Sequence, residues 1–277
     1  MPNSVGLSRP FRPGPAPESA VSMQLSFQMI DPRGEALLLV HTPVPREAYA
    51  DLTHRLLAIR ELAPRQVAFL TAPTQGGVVR VETAAAVCGG EVLRQAAFAF
   101  AVAREIRRER KVPVEGDGWP EALVAHANPL TGQAVLELPL PQVWRDPARI
   151  RFPGVVWALE KGAALPPEER LRSTLPALAE EADVPAAGLL AWDFRARTLR
   201  TALWQAQEGL TYPQRCAAGA GAAAVWQALR GGASGRKAPV HQPGGDLHAT
   251  ALAQAGVLRR LTVEGPVDLG PVYTVEF

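Results

Sequence analysis

Apolar and polar residues alternate from Met23 to Ile30, break at the turn Asp31-Pro32-Arg33-Gly34, and resume as an apolar run over Ala36–Val40, which predicts a β-hairpin. Tyr49, Leu52, Leu56, Leu57 and Ile59 recur at helical spacing between Pro45 and Leu62. Gln66–Leu70 and Gly77–Thr83 read as strands on either side of the turn Thr74-Gln75-Gly76. A helix is expected from Glu91 to Arg110, and its first half (Ala96 to Ala101) is apolar on every side, as in a helix buried all round. Leu123–Ala127 and Ala134–Leu138 form a second expected hairpin around Asn128–Gly132.

The second half repeats this order. Val155–Leu159 reads as a strand, Pro166–Asp183 as a helix, and Gly188–Trp192 and Thr201–Trp204 as strands. An alanine-rich helix is expected over Ala220–Leu229, then a hairpin over Val240–Ala249, and closing strands at Val257–Val263 and Val272–Phe277 around the turn Glu264-Gly265-Pro266. The repetition predicts an α+β chain of two similar domains, residues 23–145 and 146–277, with the last strand free to return to the first domain. Residues 1–22, rich in Pro, Ser and Gly, read as a disordered extension without the apolar core of a signal peptide.

Composition narrows the classes. The chain has 277 residues, 47% hydrophobic and 20% charged, with a net charge of +2, which suits a soluble globular protein. The one basic cluster, Arg104 to Lys111, has glutamates interleaved and reads as a solvated helix face rather than a nucleic-acid patch. No apolar run approaches the roughly 18 residues that span a membrane. His241 and His248 match no common metal motif, so no metal site is expected. Nor is there a P-loop, a dinucleotide fingerprint in its strand–helix context, or a sequence arrangement pointing to a serine hydrolase.

Chemistry concentrates at the two cysteines, Cys88 and Cys216, 216 − 88 = 128 residues apart. Without a secretion signal they point to free thiols in a reducing cytoplasm. Each follows a strand and precedes an expected helix, with small residues behind it: Gly89 and Gly90 after the first, Ala217, Ala218 and Gly219 after the second. A thiol at a helix N-terminus meets unpaired N–H groups and the positive end of the dipole, which favours the thiolate. Small residues there let backbone N–H groups approach a carboxylate. Two such thiols across an interdomain cleft form an acid–base pair able to take a proton from one face of a carbon and return one to the other.

These turns resemble the Cys-Gly-Asn and Cys-Gly-Ser-Gly turns of the diaminopimelate epimerase superfamily. Pro243-Gly244-Gly245-Asp246-Leu247 and Gly265-Pro266-Val267 resemble its closing Pro-Gly-Gly hairpin and Gly-Pro turn. Within it, Val240-His241-Gln242-Pro243-Gly244-Gly245, Gln66–Leu70 and Gly188–Asp193 are most similar to the histidine racemases of opine-type metallophore synthesis. The resemblance covers residues 25–277. It implies two pseudo-symmetric domains, each a mixed sheet wrapped around a central helix, and a cofactor-independent amino-acid racemase or epimerase with Cys88 and Cys216 catalytic. It implies substrate held at Gly89, Gly90, Ala217, Ala218 and Gly219, and L-histidine as the first substrate to expect, with a homodimer as a further expectation. Gly90 stands where the family has Asn, and Ala217-Ala218 where it has Gly-Ser. Glu91 and Glu208 are the nearest carboxylates that could support the site. They would carry the alternative, an isomerase of the phenazine-biosynthesis type; a non-catalytic binding protein on the same fold is the other.

Overall fold

The computed structural model describes residues 23–31, 34–85, 89–144, 148–230 and 235–276. The N-terminal extension and Cys88 therefore lie outside the described residues, as do the expectations placed on them.

The first half opens with β1 (Gln24–Ile30), whose buried Leu25, Phe27 and Met29 fall on alternate positions. β1 pairs antiparallel with β2 (Leu37–Val40), and β2 pairs parallel with β3 (Gln66–Thr71) across the amphipathic helix α1 (Tyr49–Leu57). The strand β4 (Val79–Glu82) leads towards α2 (Gly90–Ala103), and β5 (Arg110–Gly116), β6 (Leu123–Asn128) and β7 (Gln133–Glu137) follow. The second half supplies β8 (Gln142–Val143), β9 (Arg149–Phe152), β10 (Val155–Lys161), α3 (Glu168–Ala182), β11 (Ala186–Asp193), β12 (Thr198–Gln205) and β13 (Gly209–Thr211). Then come α4 (Ala217–Leu229), β14 (Ala238–Val240), β15 (Leu247–Gln254), β16 (Val257–Pro266) and β17 (Leu269–Glu276).

Two sheets result. The larger runs β14-β15-β16-β7-β6-β5-β4-β3-β2-β1-β17, the smaller β13-β12-β11-β10-β9-β8. The larger sheet is continuous through both halves because β16 pairs with β7, and the last strand crosses back to pair with β1. α2 packs against β4 to β7, while α4 lies between β15–β16 on one side and β9–β11 on the other. Each is a central helix wrapped by strands. Eleven of the fourteen residues of α2 and ten of the thirteen of α4 are buried, so alanine and glycine fill most positions where larger side chains would hold the sheets apart. α3 covers the opposite face of the smaller sheet through Leu171, Leu175 and Leu178.

The structure corrects several expectations. α2 ends at Ala103, seven residues early, because Glu105 turns into the left-handed region (φ 53°) and the chain enters β5, which pairs with β4 and β6. The basic cluster is thus a helix end, a turn and the exposed start of a strand, not a helix face. The helix expected over Pro45–Leu62 shortens to α1 after a 3-10 turn at Arg46–Ala48. α4 begins at Ala217 rather than Ala220, and Gly265 and Pro266 finish β16 rather than forming a turn. Among the described residues no helix is long and apolar enough to cross a membrane.

A polar cluster secures the first half. The Glu115 carboxylate accepts backbone N–H bonds from Thr74 (2.8 Å), Gln75 (2.6 Å) and Gly77 (2.7 Å), and a guanidinium bond from Arg80 (3.4 Å). Burial opposes its ionisation, but these donors win and hold its pKa at about 2. A carboxyl with a depressed folded-state pKa stabilises above its unfolded pKa and loses that contribution as pH falls. Glu115→Gln is therefore expected to cost about 2 kcal/mol or more at pH 6, where charged hydrogen bonds are replaced by weaker ones. Urea melts of both proteins between pH 6 and pH 2.5 check this: the gap narrows as pH falls below about 4.5, and a gap independent of pH contradicts it.

Candidate active site

The two buried helices meet at their N-termini. Gly90 and Ala217 are each the first residue of their helix, and a Cβ added at Gly90 would lie 3.6 Å from the Ala217 Cβ. That Cβ would also touch Leu136 and Leu138 at 3.5 Å, so the first turn of α2 is packed on both sides. Gly89, the N-cap of α2, is exposed, while Gly90, Ala217, Ala218 and Gly219 are buried. The geometry brings these five predicted positions to one junction.

Cys216 is the N-cap of α4. Its sulfur accepts the Gly219 N–H at 3.2 Å, and its own N–H donates to Gln242 Oε1 at 2.8 Å. This is the capping geometry of a helix start with a thiol in place of the usual oxygen. Gly219 is required there: a Cβ would lie 3.2 Å from the sulfur and 2.9 Å from Leu190 Cδ2. The expectation that the helix end favours a thiolate is overturned. Part of the Cys216 surface stays open, but the protein packed around it desolvates the sulfur. That burial, helped by the nearby Glu35 and Glu91 charges and opposed by the Gly219 and Ala218 N–H groups, pushes the thiol up to about 12. Cys216 rests as the thiol.

Beneath the junction lies a buried ionic network that the sequence reading did not identify. Arg215, adjacent to Cys216, donates Nε to Glu91 Oε1 at 2.8 Å and Nη2 to Asp31 Oδ2. Arg94, one helical turn after Glu91, donates Nη2 to Glu91 Oε1 at 2.6 Å and Nε to its Oε2 at 3.1 Å. The same guanidinium donates to the Gly265 carbonyl (2.6 Å) and the Pro266 carbonyl (3.1 Å), which ties the Gly-Pro segment to α2. Asp31 accepts from Gln95 Nε2 (2.7 Å) and from the Asp268 N–H (2.6 Å). Glu35 Oε2 accepts the backbone N–H groups of Gln214 (2.6 Å) and Arg215 (3.0 Å), although burial raises its pKa. One signal was available in the sequence: Glu91 and Arg94, an i,i+3 charge pair at the start of a helix whose next turns are mostly apolar, are buried only when paired.

Glu91 is thus held between two guanidiniums. Burial would raise its pKa, but the arginines outweigh it and keep it below the ordinary range, so it stays ionised. Glu208 lies elsewhere, on the exposed β12–β13 turn, where Gln205 Nε2 donates to it at 2.9 Å and desolvation raises its pKa. Gln205 pairs with Ala186 and Thr201 with Leu190, so this turn is four residues, about 13 Å, along the sheet from the level where Leu190 packs under Gly219.

The Pro-Gly-Gly hairpin sets the approach to Cys216. The Gly244 N–H donates to the Gln214 carbonyl at 2.8 Å, and a Cβ at Gly244 would lie 3.0 Å from the Gln214 backbone. A Cβ at Gly34 would lie 2.6 Å from the Gly244 carbonyl oxygen. Three backbones, from the Asp31 turn, the Gln214–Arg215 segment and the hairpin, therefore stack where side chains cannot fit, and Gln242 reaches from the hairpin to the Cys216 N–H. Among the described residues no group of three or more His, Cys, Asp or Glu side chains is arranged to hold a metal ion.

Two outcomes follow from this geometry. In a Cys88→Ser protein, where Cys216 is the remaining thiol, iodoacetamide should modify Cys216 at pH 7 at least about a hundredfold more slowly than a free thiol, with the rate still rising above pH 10. A plateau with a midpoint below pH 9 contradicts the assigned state. Gly219→Ala should lower stability by about 1–3 kcal/mol in urea melts through overpacking against the sulfur, although alanine is the better helix former. A stabilised variant contradicts the close approach.

Comparison with family models gives no match, and comparison with curated protein sequences gives none either. Comparison with solved structures does. A predicted epimerase from Pseudomonas aeruginosa is similar at 16% identity and a TM-score of 0.65, over 91% of this chain and 99% of that one. A hydroxyproline epimerase from Agrobacterium vitis, solved with bound trans-4-hydroxy-L-proline, is similar at 15% identity and a TM-score of 0.62, over 91% and 92%. A phenazine biosynthesis protein of the PhzF family from Bacillus anthracis is similar at 10% identity and a TM-score of 0.59, over 92% and 99%. The chain has the diaminopimelate epimerase-like fold shared with the PhzF proteins.

Proposed function

We propose that the protein is an isomerase that racemises or epimerises an amino acid at its α-carbon, with Cys216 and Cys88 as the two acid–base groups and no cofactor. The observation that carries this reading is the meeting of the two helix N-termini, one capped by the Cys216 thiol and the other by Gly89, the residue after Cys88 in sequence. Epimerases among the structural neighbours support the reaction class, and the Agrobacterium vitis protein binds an amino acid.

The roles follow from the protonation state. Cys216, held as the thiol, donates its proton to one face of the α-carbon, and Cys88 takes the proton from the other. For the opposite enantiomer the roles exchange. The α-proton of a zwitterion is weakly acidic, so the developing negative charge needs fixed dipoles in a water-poor site. The N-termini of α2 and α4 aim two sets of N–H groups at the substrate carboxylate, into which that charge delocalises. Gly89, Gly90 and Ala217 are the positions from which these groups come, while the Ala218 and Gly219 N–H groups face the Cys216 sulfur. L-Histidine is the first substrate to test, on the likeness of the Val240–Gly245 hairpin to histidine racemases. The carboxylate isomerase reading is weakened by Glu91, which two arginines keep ionised, and by Glu208, which lies far along the sheet.

The test is α-proton exchange in heavy water, followed by NMR with L-histidine, trans-4-hydroxy-L-proline and the other protein amino acids. The wild type should exchange at least one of them and form its epimer, and Cys88→Ser and Cys216→Ser should each slow conversion by about a thousandfold. Conversion that survives both substitutions favours the carboxylate isomerase. Absence of exchange with every amino acid favours a binding protein.

A further inference from the structure

The side chain of Gln242, 8% exposed, has a divided environment. Its Oε1 accepts the Cys216 N–H at 2.8 Å, while its Nε2 is buried without a hydrogen-bond partner among the described residues. The orientation of the carboxamide is dictated by chemistry, because a backbone N–H needs an acceptor and only the oxygen can serve. The nitrogen of a carboxamide lies about 2.3 Å from its oxygen, so Nε2 sits within about 5 Å of the Cys216 nitrogen, at the N-terminus of α4. A buried amide nitrogen left unpaired costs about 1–3 kcal/mol.

The surroundings do not satisfy it from within. No described residue places an acceptor within hydrogen-bond reach of Nε2. What the position lacks is an acceptor. The positive end of the α4 dipole favours one that carries negative charge. The unpaired indole nitrogens of Trp157 and Trp192 belong to apolar packing around the smaller sheet, and His41, Thr53 and Thr71 lie in the first half of the chain, away from Cys216 in sequence. Gln242 is distinguished by its bond to the N-cap residue itself.

We propose that Gln242 is a substrate-binding residue: Oε1 fixes the Cys216 backbone while Nε2 donates to the α-carboxylate of the bound amino acid. The identity of the ligand rests on the racemase reading above; the need for an anionic acceptor at this amide does not. The arrangement couples recognition to chemistry, because the side chain that orients the carboxylate also sets the position of the thiol.

Gln242→Glu keeps an oxygen for the Cys216 N–H and removes the NH2 group, while Gln242→Met removes both. Dissociation constants are measured at pH 8 for L-histidine, L-histidinamide, trans-4-hydroxy-L-proline and its amide. The wild type should bind at least one free acid about tenfold or more tightly than its amide. Gln242→Glu and the uncharged Gln242→Met, each shown to be folded by circular dichroism, should both lose at least tenfold for the acid and change little for the amide. For a wild-type readout independent of variant folding, the Gln242 NH2 resonances should shift on adding the acid and not the amide. Equal binding of acid by wild type and either variant, equal binding of acid and amide by wild type, or no binding of either acid overturns the proposal. Binding through Gln242 without α-proton exchange overturns the racemase reading alone, and exchange with unaltered affinity in either variant overturns the Gln242 role alone.

Discussion

The ion pair between Arg215 and Glu91 joins the two halves of the chain at the one place where their central helices meet. Glu91 belongs to the first turn of α2, Arg215 immediately precedes Cys216, and both side chains are buried. Removing one partner of a buried pair leaves an uncompensated charge and costs about 3–5 kcal/mol, so the pair acts as a strict geometrical constraint even where its net contribution to stability is small. Asp31 and Arg94 extend it to the first hairpin and to the end of β16. Four elements distant in sequence are thereby fixed around two helix N-termini.

The glycine-rich segments take their meaning from that constraint. The Pro243–Gly245 hairpin lies against the Gln214–Arg215 backbone because Gly244 has no side chain, and the Asp31–Gly34 turn closes on it for the same reason. Gly265, next to the end of β16, places its carbonyl on Arg94. Motifs far apart in sequence thus form a single support for the Cys216 N-cap. The support also explains the state of the thiol: it encloses the sulfur in dense protein near ionised carboxylates, and burial outweighs the helix end.

Much of the framework was legible in the sequence. Periodicity placed β1, β2, α3, β11 and the hairpins, and the small apolar character of α2 and α4 identified them as buried helices. Cys216 was placed at the start of its helix. What escaped was non-local. The end of α2 depends on β5 finding β4 and β6, a pairing that competes with local helical propensity in the charged run Arg104–Lys111. Glu91 looked like a candidate acid because its partner Arg215 lies 215 − 91 = 124 residues away. Glu208 looked close to Cys216 in sequence, but an extended strand and the sheet register carry it away. Spacing along the chain shows which residues share an element; it does not show which charges neutralise one another.

The most direct test of the ionic junction is a double-mutant cycle on unfolding free energy with Glu91→Gln and Arg215→Met. If the pair is the constraint described, each single substitution costs about 3 kcal/mol, and the double variant costs little more than either alone, giving a coupling of about 2 kcal/mol or larger. Additive losses would contradict it, because the two side chains would then be contributing independently and the helix N-termini would be held together by packing alone.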